Sequence, residues 1–309
     1  MGSNIAQKPG ALLTIKPQSI PDASSKVFLI TGAGSGIGLA TIRLLESKNA
    51  AGLIIADFKK PSDKILNSLA KTTLFVQTDV TSWDSLLNAF KTAIETFGTL
   101  DGVYANAGLG ELDHLFFNKI DGATGDPKPP NYANIEVNLK GVLNTVKLAV
   151  YYFRKLKVEG TIVMTSSMSG YETPGIPIYT SSKHAVLGIL RAASLDLYEE
   201  YNIKMNAVSP GPVLTNLIDS FATRAATKYD GLSKDYTFEN QGPEQPALAA
   251  AHLLLTQKEH GRSILVHAGR FRDAEEVYDS VRDQMLGSEL GIPPVSDIGW
   301  RNLFRCIFD

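Results

Sequence analysis

The chain has 309 residues, is 44% hydrophobic and carries a formal charge of −2, with an isoelectric point near 6.2. That length and apolar content supply one sizeable core, and the small net charge argues against nucleic acid or an anionic membrane as the main partner. No stretch reaches the roughly 18 consecutive apolar residues a membrane span needs, no basic region followed by an apolar core marks a signal peptide, and the single Cys306 leaves no internal disulfide, which fits a reducing, cytoplasmic setting.

Residues 1–25, with Pro9, Pro17 and Pro21, read as a flexible N-terminal arm. Val27–Thr31 is a short apolar, β-branched run, the mark of a buried parallel strand. Gly32, Gly34, Gly36 and Gly38 follow, and Ile37, Leu39, Ile42, Leu44 and Leu45 then give an apolar face with helical spacing through Ser47. Strand, glycine turn and helix together make a phosphate cradle, in which glycines admit close backbone approach and the helix N-terminus offers N–H donors to a pyrophosphate. The spacing is G-x-x-x-G-x-G, and no G-K-[ST] follows, so it is not a Walker motif. Leu53–Asp57 reads as a second strand ending in a carboxylate, roughly 20 residues beyond the glycines, where it accepts hydrogen bonds from adenosine ribose and repels a 2′-phosphate. That favours NAD, with NADP left open by Lys59 and Lys60.

Apolar runs alternate with helical patterns from Val27 to Val266, which implies a parallel sheet with helices on both faces. Gly108–Asn131 and Pro212–Gln241 interrupt that rhythm and are candidate substrate walls or lids, carrying Leu109, Leu115, Phe116, Phe117, Leu217 and Phe221. Tyr179 and Lys183 stand four residues apart on one helix face, downstream of the pair Ser166 and Ser167. An unperturbed phenol ionises near pH ~10; a fixed ammonium beside it favours the phenolate and brings the group toward service as an acid–base. The five histidines lack zinc-ligand spacing, so no metal is expected. His184 sits next to Lys183 but on another face.

Taken together and in this order, these residues resemble the short-chain dehydrogenase/reductase family in its single-domain form, from about Val27 to Gly269. The resemblance implies an α/β fold: one Rossmann-type, doubly wound parallel sheet of about seven strands, occupying 26–269, with 270–309 as a C-terminal extension. It implies a cofactor turn that includes Gly32, Gly34, Ser35, Gly36, Ile37 and Gly38, with Asp79 and Val80 at the adenine. Asn106, Ala107 and Gly108, after Val103–Ala105, would form the central-strand motif beside the cofactor, and Pro210, Gly211, Val213 and Thr215 would lie on the nicotinamide side. It assigns Asn138, Ser167, Tyr179 and Lys183 as the catalytic set, with Ser166 as a second candidate for the serine role because the Ser167–Tyr179 gap is one residue short. His267 and Ala268 replace a more usual Asp-Gly.

The activity implied is reversible hydride transfer between NAD(H) and a secondary alcohol or ketone, the loop composition pointing to a bulky apolar metabolite. The alternatives are an NADP-linked ketoreductase of the same fold, a sugar-nucleotide epimerase, or a dinucleotide sensor without catalysis. A homodimer or homotetramer is implied through the helical stretches Tyr132–Lys155 and Ser181–Glu200. Beyond Gly269 an amphipathic stretch, Asp273–Leu286, either closes the substrate pocket or bridges to another subunit.

Overall fold

A computed structural model describes residues 10–112, 115–116, 120–172, 175–214, 241–256 and 259–286. Pro9, Phe117, Thr215, Leu217, Phe221 and Cys306, all named above, lie outside the described residues, as does His114, one of the five histidines.

The strands are β1 (Leu12–Leu13), β2 (Val27–Thr31), β3 (Gly52–Asp57), β4 (Thr73–Gln77), β5 (Gly102–Ala105), β6 (Thr161–Thr165), β7 (Lys204–Pro210), β8 (Ser263–His267) and β9 (Arg270–Asp273). They form one sheet in the order β1-β9-β8-β7-β6-β5-β2-β3-β4. From β4 to β8 every pairing is parallel, whereas β9 and β1 add antiparallel to that edge. The helices are α1 (Gly36–Ser47), α2 (Asp63–Leu66), α3 (Trp83–Phe97), α4 (Ala133–Ile135), α5 (Gly141–Leu156), α6 (Pro177–Tyr201), α7 (Glu244–Leu255) and α8 (Ala274–Leu286).

The expected Rossmann-type sheet is present, with nine strands among the described residues rather than seven. The two additional strands come from the segments read as arm and extension. Leu12 and Leu13 pair with Arg272 and Phe271, and Ile15, Ile20 and Ala23 are buried in the core. Residues 10–25 and 270–286 are therefore built onto the sheet edge. Their short apolar segments were too few to show a period, and their pairing is non-local.

Alternation along each strand separates two cores. Val27 and Leu29 face the layer of α3, α5 and α6, while Phe28 and Ile30 face α1, α7 and the N-terminal segment. Strand order reverses between β2 and β5, so their carboxyl ends diverge into a crevice where ligands bind in open α/β sheets. Between α4 and α5 the helix widens into a π-turn, Glu136–Lys140, so the stretch from Tyr132 is not one regular helix. Such turns concentrate at functional sites.

Candidate active site

The turn after β2 is shaped by side chains it lacks. Gly32 has φ +64°, and a Cβ there would stand 2.7 Å from Ala107 Cα, across the divide between β2 and β5. At Gly38 a Cβ would lie 2.6 Å from the Gly32 carbonyl oxygen. Neither place admits another residue without moving backbone. Ser35, extended and exposed, precedes α1 without a side-chain cap, which leaves the first N–H groups of the helix for an anion. Ile37 packs its side chain back into the core.

Asp57 ends β3 with one oxygen accepting from Gly34 N at 2.8 Å and the other from Lys59 N at 2.9 Å. The carboxylate is thereby fixed at the rim of the turn. Lys60 pairs at 3.0 Å with Asp63. Beside this rim, Asp79 accepts from Thr81 N and Oγ1 at 2.9 and 2.7 Å, and Val80 is buried.

Asn106 joins the turn to the sheet. Its Nδ2 donates to the carbonyls of Thr31 and Gly32 at 3.1 and 3.2 Å, and its Oδ1 accepts from Thr165 Oγ1 at 3.1 Å. The backbone N–H groups of Asn106 and Ala107 both donate to Thr31 Oγ1. Gly108 then opens the loop that leads over the crevice.

The other site residues converge from β6, the π-turn and α6. Ser167 Oγ accepts from Ser169 N at 3.1 Å, capping the turn Met168–Gly170, and donates to Pro210 O at 3.4 Å. The Ser167 hydroxyl also favours the ionised form of the Tyr179 phenol. Ser166, by contrast, is buried with its hydroxyl on Lys183 O at 3.0 Å, so of the two serines only Ser167 acts on the tyrosine phenol. Lys183, 3% exposed, donates from Nζ to Thr165 O at 2.9 Å and lies 5.5 Å from the Tyr179 ring centroid. Asn138 is fully buried; its Oδ1 accepts from Leu109 N at 2.7 Å, and its Nδ2 donates to Leu109 O and Ser182 Oγ. A Cβ on Gly108 would lie 3.4 Å from Asn138 Oδ1 and 3.7 Å from Lys183 Nζ, so both polar heads border the same small space.

The electrostatics differ from the expectation for this pair. Burial pushes the Tyr179 phenol up, and the hydrogen bond from Ser167 only partly offsets it. Burial also lowers the Lys183 ammonium, to about 8. Lys183 does not depress the phenol here, because its head is turned to Thr165 O and desolvation of the phenol dominates. The free protein therefore holds Tyr179 protonated, as a donor.

Several supporting residues escaped the sequence reading. Glu111, 7% exposed, accepts from Ile178 N at 3.3 Å and Tyr179 N at 2.6 Å. It caps α6, whose own N-cap residue, Ile176, has no side chain able to do so. Asn134 donates to the carbonyls of Leu109 and Gly110. Residues 109–111 thus tie the π-turn to the helix that bears Tyr179. At the end of β7, Gly211 donates to Val266 O at 2.8 Å, Val213 bridges to Gln241, and His267 Nδ1 fills the space a Cβ on Gly211 would need, at 2.7 Å. Only the sequence departure at 267 hinted at this packing. His184 is exposed on α6 with Nδ1 on Thr180 O, away from the crevice. Among the described residues no acidic, histidine or cysteine cluster could hold a metal ion, and no helix is long and apolar enough to cross a membrane.

A crevice over the carboxyl ends of β2 and β5, with a side-chain-free turn on one wall, defines a dinucleotide-binding α/β protein. A profile described as short chain dehydrogenase matches residues 26–225, and the chain belongs to the short-chain dehydrogenase/reductase family of oxidoreductases. It is 32% identical over 265 residues to the short-chain dehydrogenase/reductase ascJ of Acremonium egyptiacum, covering 85% of each chain. It is 30% identical over 285 residues to the 5′-hydroxyaverantin dehydrogenase of Dothistroma septosporum, covering 85% of this chain and 90% of that one. Among solved structures, a 3-ketoacyl-(acyl-carrier-protein) reductase from Brucella melitensis complexed with NADH superposes with a TM-score of 0.65 at 24% identity, over 80% of this chain and 99% of that one.

Proposed function

We propose that the protein catalyses reversible hydride transfer between NAD(H) and a secondary alcohol or ketone, with Asn138, Ser167, Tyr179 and Lys183 as its catalytic set. The observation that carries this reading is the Lys183 ammonium, beside Gly108 and Asn138 and 5.5 Å from the Tyr179 ring centroid, with the Ser167 hydroxyl acting on the same phenol. The tight turn at Gly32 and Gly38, which brings the uncapped N-terminus of α1 to the crevice, fits a pyrophosphate, and the fixed Asp57 carboxylate fits a ribose without a 2′-phosphate. Gly34, Ser35, Gly36 and Ile37 would complete that turn; Asp79 and Val80 would border the adenine, and Asn106, Ala107, Gly108, Pro210, Gly211 and Val213 the nicotinamide half. When bound, the nicotinamide supplies the hydride acceptor or donor.

The chain's own residues handle the proton. In the reductive direction Tyr179, held protonated by burial, donates to the substrate oxygen, while the Ser167 hydroxyl hydrogen-bonds that oxygen as charge develops on it. In the oxidative direction Tyr179 must first give up its proton. Lys183, its pKa lowered to about 8, is the adjoining group able to change charge near neutrality, and Asn138 borders its head from the other side of Gly108. The relative named a 5′-hydroxyaverantin dehydrogenase supports the dehydrogenase reading.

For the substrate, exposed Leu115 and Phe116, 45% and 72% accessible, and Leu214 support a bulky apolar alcohol or ketone. For assembly, exposed Leu143 and Tyr151 on α5 and the open face at Gly188 on α6 support a homodimer or homotetramer, which light scattering reads directly. The activity is tested by following NADH absorbance against a panel of secondary alcohols and ketones with each cofactor. Turnover with NAD(H), and a shift of preference toward NADP(H) in Asp57→Ala, is the expected result. No turnover with any member, despite NADH binding, contradicts it.

A further inference from the structure

One carboxylate behind the site holds two of its walls together. Glu275, the second residue of α8, is 4% exposed. One oxygen accepts from the Tyr171 phenol at 2.6 Å and from Arg191 Nη2 at 3.0 Å, and the other accepts from Arg191 Nε at 2.7 Å. The Arg191 guanidinium in turn lies 3.9 Å from the centroid of the Tyr278 ring, one helical turn along α8. The backbone of Glu275 is anchored to the sheet. Asp273 Oδ1 accepts from Glu275 N at 3.1 Å and from Ser263 N at 3.4 Å, and its second oxygen pairs with Arg262.

The partners of Glu275 belong to the reacting segments. Tyr171 directly follows the turn Met168–Gly170 that Ser167 caps. Arg191 stands two turns beyond Lys183 on α6. Stability alone does not account for such a group, since replacing a buried ion pair by well-packed apolar side chains is often neutral or favourable. What a bidentate pair plus a phenol supplies is fixed geometry.

We propose that Glu275 is a positioning residue that sets the separation of Ser167 from Tyr179 by clamping the Met168–Tyr171 segment against α6. The C-terminal helix α8 is then a third side of the active-site frame. This rests on the reading of Ser167 and Tyr179 as the reacting pair.

The test compares Tyr171→Phe, Glu275→Gln and Glu275→Ala with the parent protein and with Tyr179→Phe, using a secondary alcohol from the panel above. Misplacing reacting groups by about 1 Å costs on the order of 100-fold, so Glu275→Ala is expected to lose about that much in kcat. Tyr171→Phe should lose about tenfold in kcat with KM, NADH affinity and melting temperature near those of the parent, a split that a purely structural contact does not give. Glu275→Gln, which keeps an acceptor for Tyr171, should recover part of the loss. Parent-like kcat in both Tyr171→Phe and Glu275→Ala overturns the inference. If Glu275→Ala does not fold, Tyr171→Phe decides alone, because it leaves the Glu275–Arg191 pair in place. Independently of any substrate, a crystal structure of Tyr171→Phe should show the Met168–Gly170 turn displaced from α6, and an undisplaced turn counts against the clamp. Tyr179→Phe separates the two levels: if it keeps turnover, the catalytic reading fails, whereas an inactive Tyr179→Phe beside a normal Tyr171→Phe removes only the clamp.

Discussion

The nucleotide wall of the crevice and its chemical wall are built in opposite ways. Around Gly32 and Gly38 the decisive feature is close approach of bare backbone, where a single added carbon would strike protein atoms at 2.7 and 2.6 Å. Around Tyr179 the decisive feature is crowding by polar groups. Glu111, Asn138, Ser167, Thr165 and Lys183 arrive from separate elements, and each is engaged by a hydrogen bond. The first wall should fail when atoms are added, and the second when polar atoms are removed. Binding and turnover ought then to separate cleanly between the two sets of variants.

The largest separation is expected from Tyr179→Phe. Loss of a positioned acid–base typically costs 10²- to 10⁴-fold, so turnover should fall about 1,000-fold while the NADH dissociation constant, read by fluorescence, stays put. The parent's pH profile carries the sign of the same group. Ketone reduction should decline on the alkaline side as the phenol ionises, and alcohol oxidation should rise there.

Lys183→Met should lose about 100-fold in turnover yet gain stability. Its folded pKa is lowered from 10.5 to about 8, so between those values the unfolded chain binds more protons and the parent's stability climbs with pH. Below that window the buried ammonium costs the folded state on the order of 3 kcal/mol. Thermal melts from pH 7 to about 10.5 should rise in the parent and stay flat in Lys183→Met at a higher value; a lowered, pH-dependent melt contradicts the assigned burial cost.

On the opposite wall, Gly38→Ala should weaken NADH binding about tenfold or more, since the clash is with backbone that cannot swing aside. Parent-like affinity in this variant erases the contrast between the walls. The smallest effect is expected for Glu111→Gln. It keeps one acceptor for the first turn of α6 but loses the charge at the helix N-terminus, an effect of about 0.3–1 kcal/mol, seen as a lower melting temperature with about a fivefold lower kcat and unchanged NADH affinity.

The same contrast explains what the sequence made legible. Glycines that must stay bare, and a strand that must be buried on both faces, are local properties, so Val27–Gly38 and Asp57 can be read from short windows. Tyr179 and Lys183 are also local, four residues apart on one helix. Glu111 and Glu275 are not. The first works 68 residues from Tyr179 and the second 104 residues from Tyr171, and each looks like an ordinary surface acid in its own neighbourhood. The strand Leu12–Leu13 is hidden for the same reason, because two residues carry no period and its partner lies at the other end of the chain. Spacing reports the nearby ammonium but not the loss of water around the phenol, and it is burial that sets the direction at Tyr179.

The most direct test of the central claim is hydride tracing. Incubating the protein with a ketone from the panel and NADH deuterated at C4 of the nicotinamide should yield an alcohol carrying deuterium at the carbinol carbon, with Tyr179→Phe forming almost none. An unlabelled alcohol, or equal labelling by Tyr179→Phe, would contradict the account.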